Sequence, residues 1–184
     1  MQARLLFLSA ATLVAGCTGG SKTTSLDRVS AAPPAISATT QLLGSNGELR
    51  GTAALIQSAD GVRVDVRLDG MVPGTYAVHL HAIGRCDTPD FASAGAHFNP
   101  TAQQHGSLNS AGPHLGDLPN IVVAANGGGS LATTVAGLQL VGGATPLLDA
   151  DGAAVIVHAA ADDYRTDPSG NSGARIACGT LRRR

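Results

Sequence analysis

The run Val62-Arg63-Val64-Asp65-Val66-Arg67-Leu68 alternates apolar and polar residues without a break. A period of two buries one face of a strand and leaves the other wet. Asp60-Gly61 stands before it as a turn signal. The same punctuation recurs along the chain. Residues 36–43 and 48–58 read as strands joined by Gly44-Ser45-Asn46-Gly47, residues 74–81 as a further strand, and residues 121–125 and 130–136 as a pair around Asn126-Gly127-Gly128-Gly129. Residues 153–158 and 175–181 complete the set, while 138–141 reads equally as strand or loop. Eight short strands with glycine-rich turns and no convincing helix in the mature chain predict an all-β antiparallel sandwich or barrel. Two long loops, 82–120 and 159–174, interrupt it.

Aromatic residues make up 3% of the chain and Trp is absent, so the core has to be built from Val, Leu, Ile and Ala. The formal net charge of −1 carries no electrostatic footprint for nucleic acid. A length of 184 residues suits one domain with extensions. Residues 1–16 hold one basic residue, Arg4, and then a short apolar stretch, the shape of a signal peptide and too short for a spanning helix. The stretch ends in Val14-Ala15-Gly16-Cys17, which resembles a bacterial lipobox and makes Cys17 a candidate for lipidation. An ordinary secretory signal followed by an incidental Cys is the alternative. Residues 17–34, rich in Ser, Thr, Gly, Ala and Pro, read as a flexible tether, and 35–181 as the folded domain. Arg182-Arg183-Arg184 reads as a solvated, mobile basic tail. The localisation expected from these features is the bacterial cell envelope, on the periplasmic side and anchored by lipid to a membrane, with the outer membrane favoured.

If Cys17 carries lipid, Cys86 and Cys178 remain of the three cysteines. Export would let them pair, where two free buried thiols are the other reading. A bridge would close a loop of about 90 residues, worth roughly 4–5 kcal/mol in the chain-entropy picture, and would tie the first long loop to the end of the domain.

That loop and the strand before it hold five of the six histidines: His79, His81, His97, His105 and His114, with Asp117 three residues later. A structureless loop near 40 residues is rare in a compact domain, so something other than a sheet ladder has to hold it. His79 and His81, two apart on a strand, project from one face, with Val78 and Leu80 on the other. Neutral imidazole is the commonest side-chain metal ligand, and three imidazoles with one carboxylate suit a closed zinc site. Each loop histidine taken singly is more simply a surface residue. His158, at the end of Ala154-Val155-Ile156-Val157, is more simply a hydrogen-bonded core residue, and becomes a ligand candidate only if its strand end adjoins that of His81.

The segments Tyr76-Ala77-Val78-His79-Leu80-His81, Gly95-Ala96-His97-Phe98-Asn99-Pro100, His105-Gly106, Gly112-Pro113-His114-Leu115-Gly116-Asp117-Leu118, Val157-His158 with Ala161-Asp162-Asp163-Tyr164, and Gly173-Ala174-Arg175-Ile176-Ala177-Cys178-Gly179 together resemble copper/zinc superoxide dismutase over about residues 35–181. The extra residues between Cys86 and His97 resemble its bacterial exported branch. The resemblance implies an eight-stranded Greek-key fold and an oxidoreductase that converts superoxide to O2 and H2O2, protecting the envelope. Copper, alternately reduced and reoxidised, would be held by His79, His81, His97 and His158. Zinc would be held by His97, His105, His114 and Asp117, so that His97 bridges the two ions, one of each per chain. It further implies that Asp162 orients His79 and His105, that Arg175 and His97 take part in catalysis, and that Cys86 and Cys178 form the family disulfide. A homodimer is compatible with it. The loop after His158 carries Arg165 as its only basic residue before Arg175, and Gln103-Gln104 precede His105 where bacterial relatives lead one to expect a basic residue. Rival functions are a metal-storing lipoprotein, which would not need Arg175, a zinc hydrolase, which would need an open coordination position, and a structural envelope protein that uses metal only for stability.

Overall fold

The computed structural model describes residues 35–183, so the signal segment 1–16, the tether 17–34 with its Cys17, and Arg184 lie outside the described residues. The first three strands, β1 (Ser37–Leu43), β2 (Leu49–Ser58) and β3 (Gly61–Leu68), form an antiparallel meander. The alternation in β3 does what its period requires: Val62, Val64 and Val66 are fully buried, while Arg63 and Arg67 face solvent. Leu55 of β2 stands opposite Val64, and Leu42 of β1 joins them in an almost wholly aliphatic core. Each fully buried side chain of this size contributes about 1.5–3 kcal/mol of burial free energy.

Residues 74–81 are not one strand. The chain forms β4 (Gly74–Tyr76) and β5 (Val78–His81), separated by Ala77. The break lies in pairing rather than in direction. β4 pairs with β6 (Ile121–Val123), and β5 pairs with β8 (Ala154–His158). Ala77 makes the handover, donating to Ala160 O at 2.9 Å and accepting from His158 N at 2.9 Å. With β7 (Gly129–Val135) and β9 (Arg175–Thr180), the strand path runs β4-β6-β7-β3-β2-β1-β9-β8-β5. One short run of chain therefore supplies both ends of the path and closes the sheet into a barrel. Leaving β3, the chain passes the positions later taken by β7 and β6 before landing at β4, the long return of a Greek key.

The apolar stretch 138–141 makes no strand. Leu138, Leu140 and Leu147 are buried as a plug, and Gln57 Oε1 accepts from Leu140 N at 2.7 Å and Val141 N at 3.1 Å in place of a ladder partner. The last two described residues also differ from expectation. Arg182–Arg183 form β10, with Thr39 opposite Arg182 and Ala38 opposite Arg183, so they are not a free tail. Leu181 is buried and donates to Ala153 O at 2.9 Å. This leads the following residues along β1, whose ladder with β9 is confined to Leu43 and Cys178. The ten strands among the described residues thus exceed the expected eight by the split at Ala77 and by β10.

The long loop is held along the free edge of β5. Leu80 N donates to Gly116 O at 2.9 Å, and Phe98 N donates to Leu80 O at 2.8 Å. Bridges pair His79 with Asp117 and His81 with His97. The approach is close enough to need glycine: a Cβ at Gly116 would stand 2.4 Å from Leu80 O. A disulfide between Cys86 and Cys178, 92 residues apart, pins the other end of the loop to β9. Phe91, Ala94, Ala154, Ile156 and Cys178 pack around it as a second small core. All five residues of β8 are buried because the barrel covers one of its faces and this loop covers the other.

Candidate metal centre

β5, β8 and the loop docked on β5 bring the six histidines into contact. His158 closes β8 next to β5, so its ring centroid lies 4.8 Å from that of His79. The His97 ring lies 4.0 Å from His79 and 4.9 Å from His81. His79, His81, His97 and His158 each offer a donor atom, and the four atoms lie within 4.8 Å of one another.

A second cluster adjoins the first. Asp117 Oδ1 lies 2.9 Å from His97 Nδ1, 3.1 Å from His105 Nδ1 and 3.2 Å from His114 Nδ1. Donor atoms of His79, His97, His105 and Asp117 also fall within 4.8 Å of one another. The carboxylate nonetheless groups the ring nitrogens differently: His114 Nδ1 is 3.4 Å from His97 Nδ1 and belongs here, whereas His79 is committed elsewhere by its hydrogen bond to Asp162. Four donors around one zinc at about 2.0–2.1 Å would stand roughly 3.3 Å apart at the corners of a tetrahedron, close to the spacings seen. A groove of about 880 Å³ lies on the outer face of β1–β3 beside the disulfide and contains none of these histidines.

Hydrogen bonding fixes which nitrogen is free on four of the six rings. A carboxylate or carbonyl only accepts, so the ring nitrogen facing it carries the proton. His79 Nε2 donates to Asp162 Oδ2 at 2.9 Å, and His105 Nε2 donates to Asp162 Oδ1 at 2.9 Å. His81 Nδ1 donates to Gly95 O at 2.9 Å, and His158 Nδ1 donates to Gly173 O at 3.2 Å. The opposite atoms, His79 Nδ1, His81 Nε2, His105 Nδ1 and His158 Nε2, are buried without a hydrogen-bond partner, as is His97 Nε2. Such orphaned groups cost about 1–3 kcal/mol each unless something accepts their lone pairs. The donor set therefore fits two cations. His97 alone faces both, with Nε2 toward the first cluster and Nδ1 toward Asp117.

Electrostatics keep three of the rings neutral and available as donors. Burial, reinforced by the neighbouring His97 ring, pushes His81 down to about 2. Burial and the His79 ring push His158 down to about 3, and burial lowers His97 to about 4 against the pull of Asp117. These rings are neutral at physiological pH, the state a ligand needs. For His105, burial acts downward, but contacts with Asp117 and Asp162 outweigh it and raise the group to about 9. Burial would raise both carboxylates; His105 and His97 instead hold Asp117 well below the usual range, and His105, His79 and Tyr164 N do the same for Asp162.

Arg175 opens β9 opposite His158. Its Nη1 donates to Phe91 O and its Nη2 to Gly95 O, both at 2.7 Å. Gly95 O also accepts from His81, so the guanidinium is anchored beside the first cluster. Burial draws its pKa below the usual value. Cys86 and Cys178 are bonded to each other, and Cys17 lies outside the described residues. Two residues that contact Asp162 had no role assigned from the sequence: Asn120, and Tyr164, which entered only as part of a matching segment. Neither has a metal-binding side chain of the usual kind, and both stand in segments that read as irregular.

Comparison with known proteins agrees with this geometry. The sequence profile of the family described as copper/zinc superoxide dismutase (SODC) matches residues 49–181. A superoxide dismutase [Cu-Zn] of Caulobacter vibrioides is 42% identical over 149 residues, covering 79% of this chain and 86% of that protein. Superoxide dismutase [Cu-Zn] 1 of Aquifex aeolicus is 40% identical over 143 residues, 77% of this chain and 85% of that one. Among solved structures, a double mutant of a SOD-like protein from Bacillus subtilis superposes with a TM-score of 0.74 at 42% identity, covering 78% of this chain and 95% of that chain.

Proposed function

The chain belongs to the copper/zinc superoxide dismutase family, and from that premise we propose which residues carry the reaction and where it runs. The activity is oxidoreductase: two superoxide anions and two protons become O2 and H2O2, with copper and zinc as cofactors.

In our reading His79 Nδ1 and the Nε2 atoms of His81, His97 and His158 hold copper. The Nδ1 atoms of His97, His105 and His114 hold zinc together with Asp117. The observation that carries it is the set of buried ring nitrogens without hydrogen-bond partners, namely the four copper donors and His105 Nδ1, while His97 Nδ1 and His114 Nδ1 join the second site through their convergence with His105 Nδ1 on Asp117 Oδ1. When bound, copper supplies one-electron redox chemistry, and zinc, which has none, supplies charge and a fixed geometry. The protein does the rest. Arg175 keeps N–H groups beyond the two it spends on Phe91 and Gly95 and offers them to the incoming anion as charge-assisted donors. His97 Nε2, unpartnered and facing the first cluster, would be placed to hold a proton and give it to the reduced substrate. Asp162 keeps His79 and His105 in the Nε2–H form.

Metal analysis with a superoxide-turnover assay on the mature domain tests this. One copper and one zinc per chain with superoxide-dependent turnover is the expected result. Zinc alone, with no turnover, would overturn it in favour of a structural or storage role.

The reading extends to location. Residues 1–16 are a signal peptide, Cys17 carries lipid, and the enzyme works at the periplasmic side of the envelope, tethered to the outer membrane. The lipobox-like segment before Cys17 and a disulfide suited to an oxidising compartment support this. Mass spectrometry of the mature N-terminus is decisive, since an unmodified Cys17 or cleavage elsewhere removes the anchor. A homodimer is the assembly to test against the monomer by sedimentation.

A further inference from the structure

Asp162 touches one ring of each cluster, yet it sits in an irregular loop where no ladder holds it. Asn120 holds its backbone. Asn120 Oδ1 accepts from Asp162 N at 2.9 Å while Asn120 Nδ2 donates to Asp162 O at 2.9 Å. One side chain thus satisfies both main-chain groups of Asp162, as a strand partner would. Tyr164 holds the carboxylate: its N donates to Asp162 Oδ1 at 2.7 Å. Tyr164 Oη accepts from Asn120 N at 2.8 Å, which closes the circuit, and Tyr164 O accepts from Leu108 N at 2.9 Å in the loop of His105 and His114. Tyr164 does this at φ 61°, a left-handed conformation that a bulky residue adopts only where its surroundings enforce it. Gly170 leaves the carboxylate its space, since a Cβ there would stand 1.8 Å from Asp162 Oδ1 and 2.7 Å from His105 Nε2.

The geometry points to Asn120 and Tyr164 as positioning residues that aim the Asp162 carboxylate at the Nε2–H groups of His79 and His105 and thereby leave His79 Nδ1 free. The clamp acts on a shared carboxylate, so it tunes both metal sites together. This second consequence rests on the ligand assignment above; the effect on ring tautomers does not. Losing a hydrogen-bond partner of a ligating histidine lowers metal affinity by about 10–100-fold, and an indirect contact belongs at the lower end of that range.

The test compares Asn120→Ala and Tyr164→Phe with wild type in the full chain, with His114→Ala as a control that removes a donor from the zinc site alone. In the metal-free chain, long-range proton–nitrogen spectra should show His79 as Nε2–H in wild type and as a tautomer mixture in both variants. In chelator competition both variants should lose copper and zinc affinity together, by about tenfold, whereas His114→Ala should weaken zinc selectively. Wild-type tautomers and affinities in a variant that merely melts earlier would overturn the proposal and leave these residues with a purely structural role. Should Asn120→Ala not fold, Tyr164→Phe, which keeps the backbone bond to Asp162 Oδ1 and removes only the acceptor of Asn120 N, carries the test of the Asn120 link. Should the wild-type chain bind neither metal, the cofactor assignment fails, and the His79 spectra still decide the clamp.

Discussion

Arg175 shows how one side chain can be both anchored and available. Two of its N–H groups bond Phe91 O and Gly95 O, which fixes the plane of the guanidinium, while its charge stays beside the first cluster. Arg175→Ala should leave both metals bound and slow turnover by roughly tenfold or more, since a focused positive field raises anion encounter by 10–10³. It should also flatten the fall in rate with ionic strength. Pulse radiolysis across a salt series reads both, and a wild-type rate with a wild-type salt slope would remove Arg175 from the reaction. His97→Ala should break the shared ring while leaving three rings at the first cluster. Most activity should go, and the copper spectrum should cease to respond to zinc. Full turnover in that variant would refute the roles assigned here. At this scale the ring donors were legible through their segments, because His79, His97 and Asp117 stand in distinctive local sequences. Asn120 was not legible. Its fork reaches the backbone of a residue 42 positions away, and no periodicity or composition reports such a bond.

At the scale of elements, alternation gave β3 and its neighbours correctly because each buries one face, but alternation cannot see pairing. Residues 74–81 keep a strand-like pattern through Ala77, and only the change of partner from β6 to β8 divides them. The pairing of Arg182–Arg183 with β1 was hidden for a similar reason: it follows from the anchoring of Leu181, not from the arginines. The second loop carries its own local brace. Asp163, fully exposed, accepts from Thr166 Oγ1 at 2.6 Å, Thr166 N at 2.8 Å, Arg165 N at 2.9 Å and Asn171 Nδ2 at 2.9 Å, and these bonds lower its pKa to about 2. The unfolded value is about 3.9. A folded pKa below the unfolded one contributes stability that is whole above about pH 4 and is lost as pH falls through the folded value. Amide exchange at Arg165 and Thr166, corrected for intrinsic rates, should therefore accelerate between about pH 4 and 2 in wild type. Asp163→Asn, whose side chain does not titrate, should show no such step. An identical pH response in the two proteins would mean that Asp163 does not brace the loop.

Across the whole molecule, two devices converge on one loop: the disulfide to β9 at residue 86, and the candidate metal ligands between residues 97 and 117. They are coupled through the loop itself. Under the proposed ligand assignment, metal would bind only the arrangement in which His97, His105, His114 and Asp117 come together. Apparent affinity is the intrinsic affinity scaled by the fraction of molecules in that arrangement. Removing the bridge, as in Cys86→Ser with Cys178→Ser, frees the segment carrying Phe91 and Gly95. That segment supplies the carbonyls for Arg175 and His81, so the competent fraction falls. The bridge alone should be worth about 2–5 kcal/mol in a domain of this kind, and bound metal adds stability by mass action. Independent devices would give additive losses. Coupled ones should give a cycle over four species, with and without bridge and with and without metal, in which the stabilisation from metal is smaller when the bridge is absent, by about 0.5–3 kcal/mol. Chemical denaturation of the four species at fixed free metal measures it. Additivity to within about 0.5 kcal/mol would show that the histidine-bearing part of the loop is held by the edge of β5 and its ions alone, and that the bridge serves only the small core around Phe91.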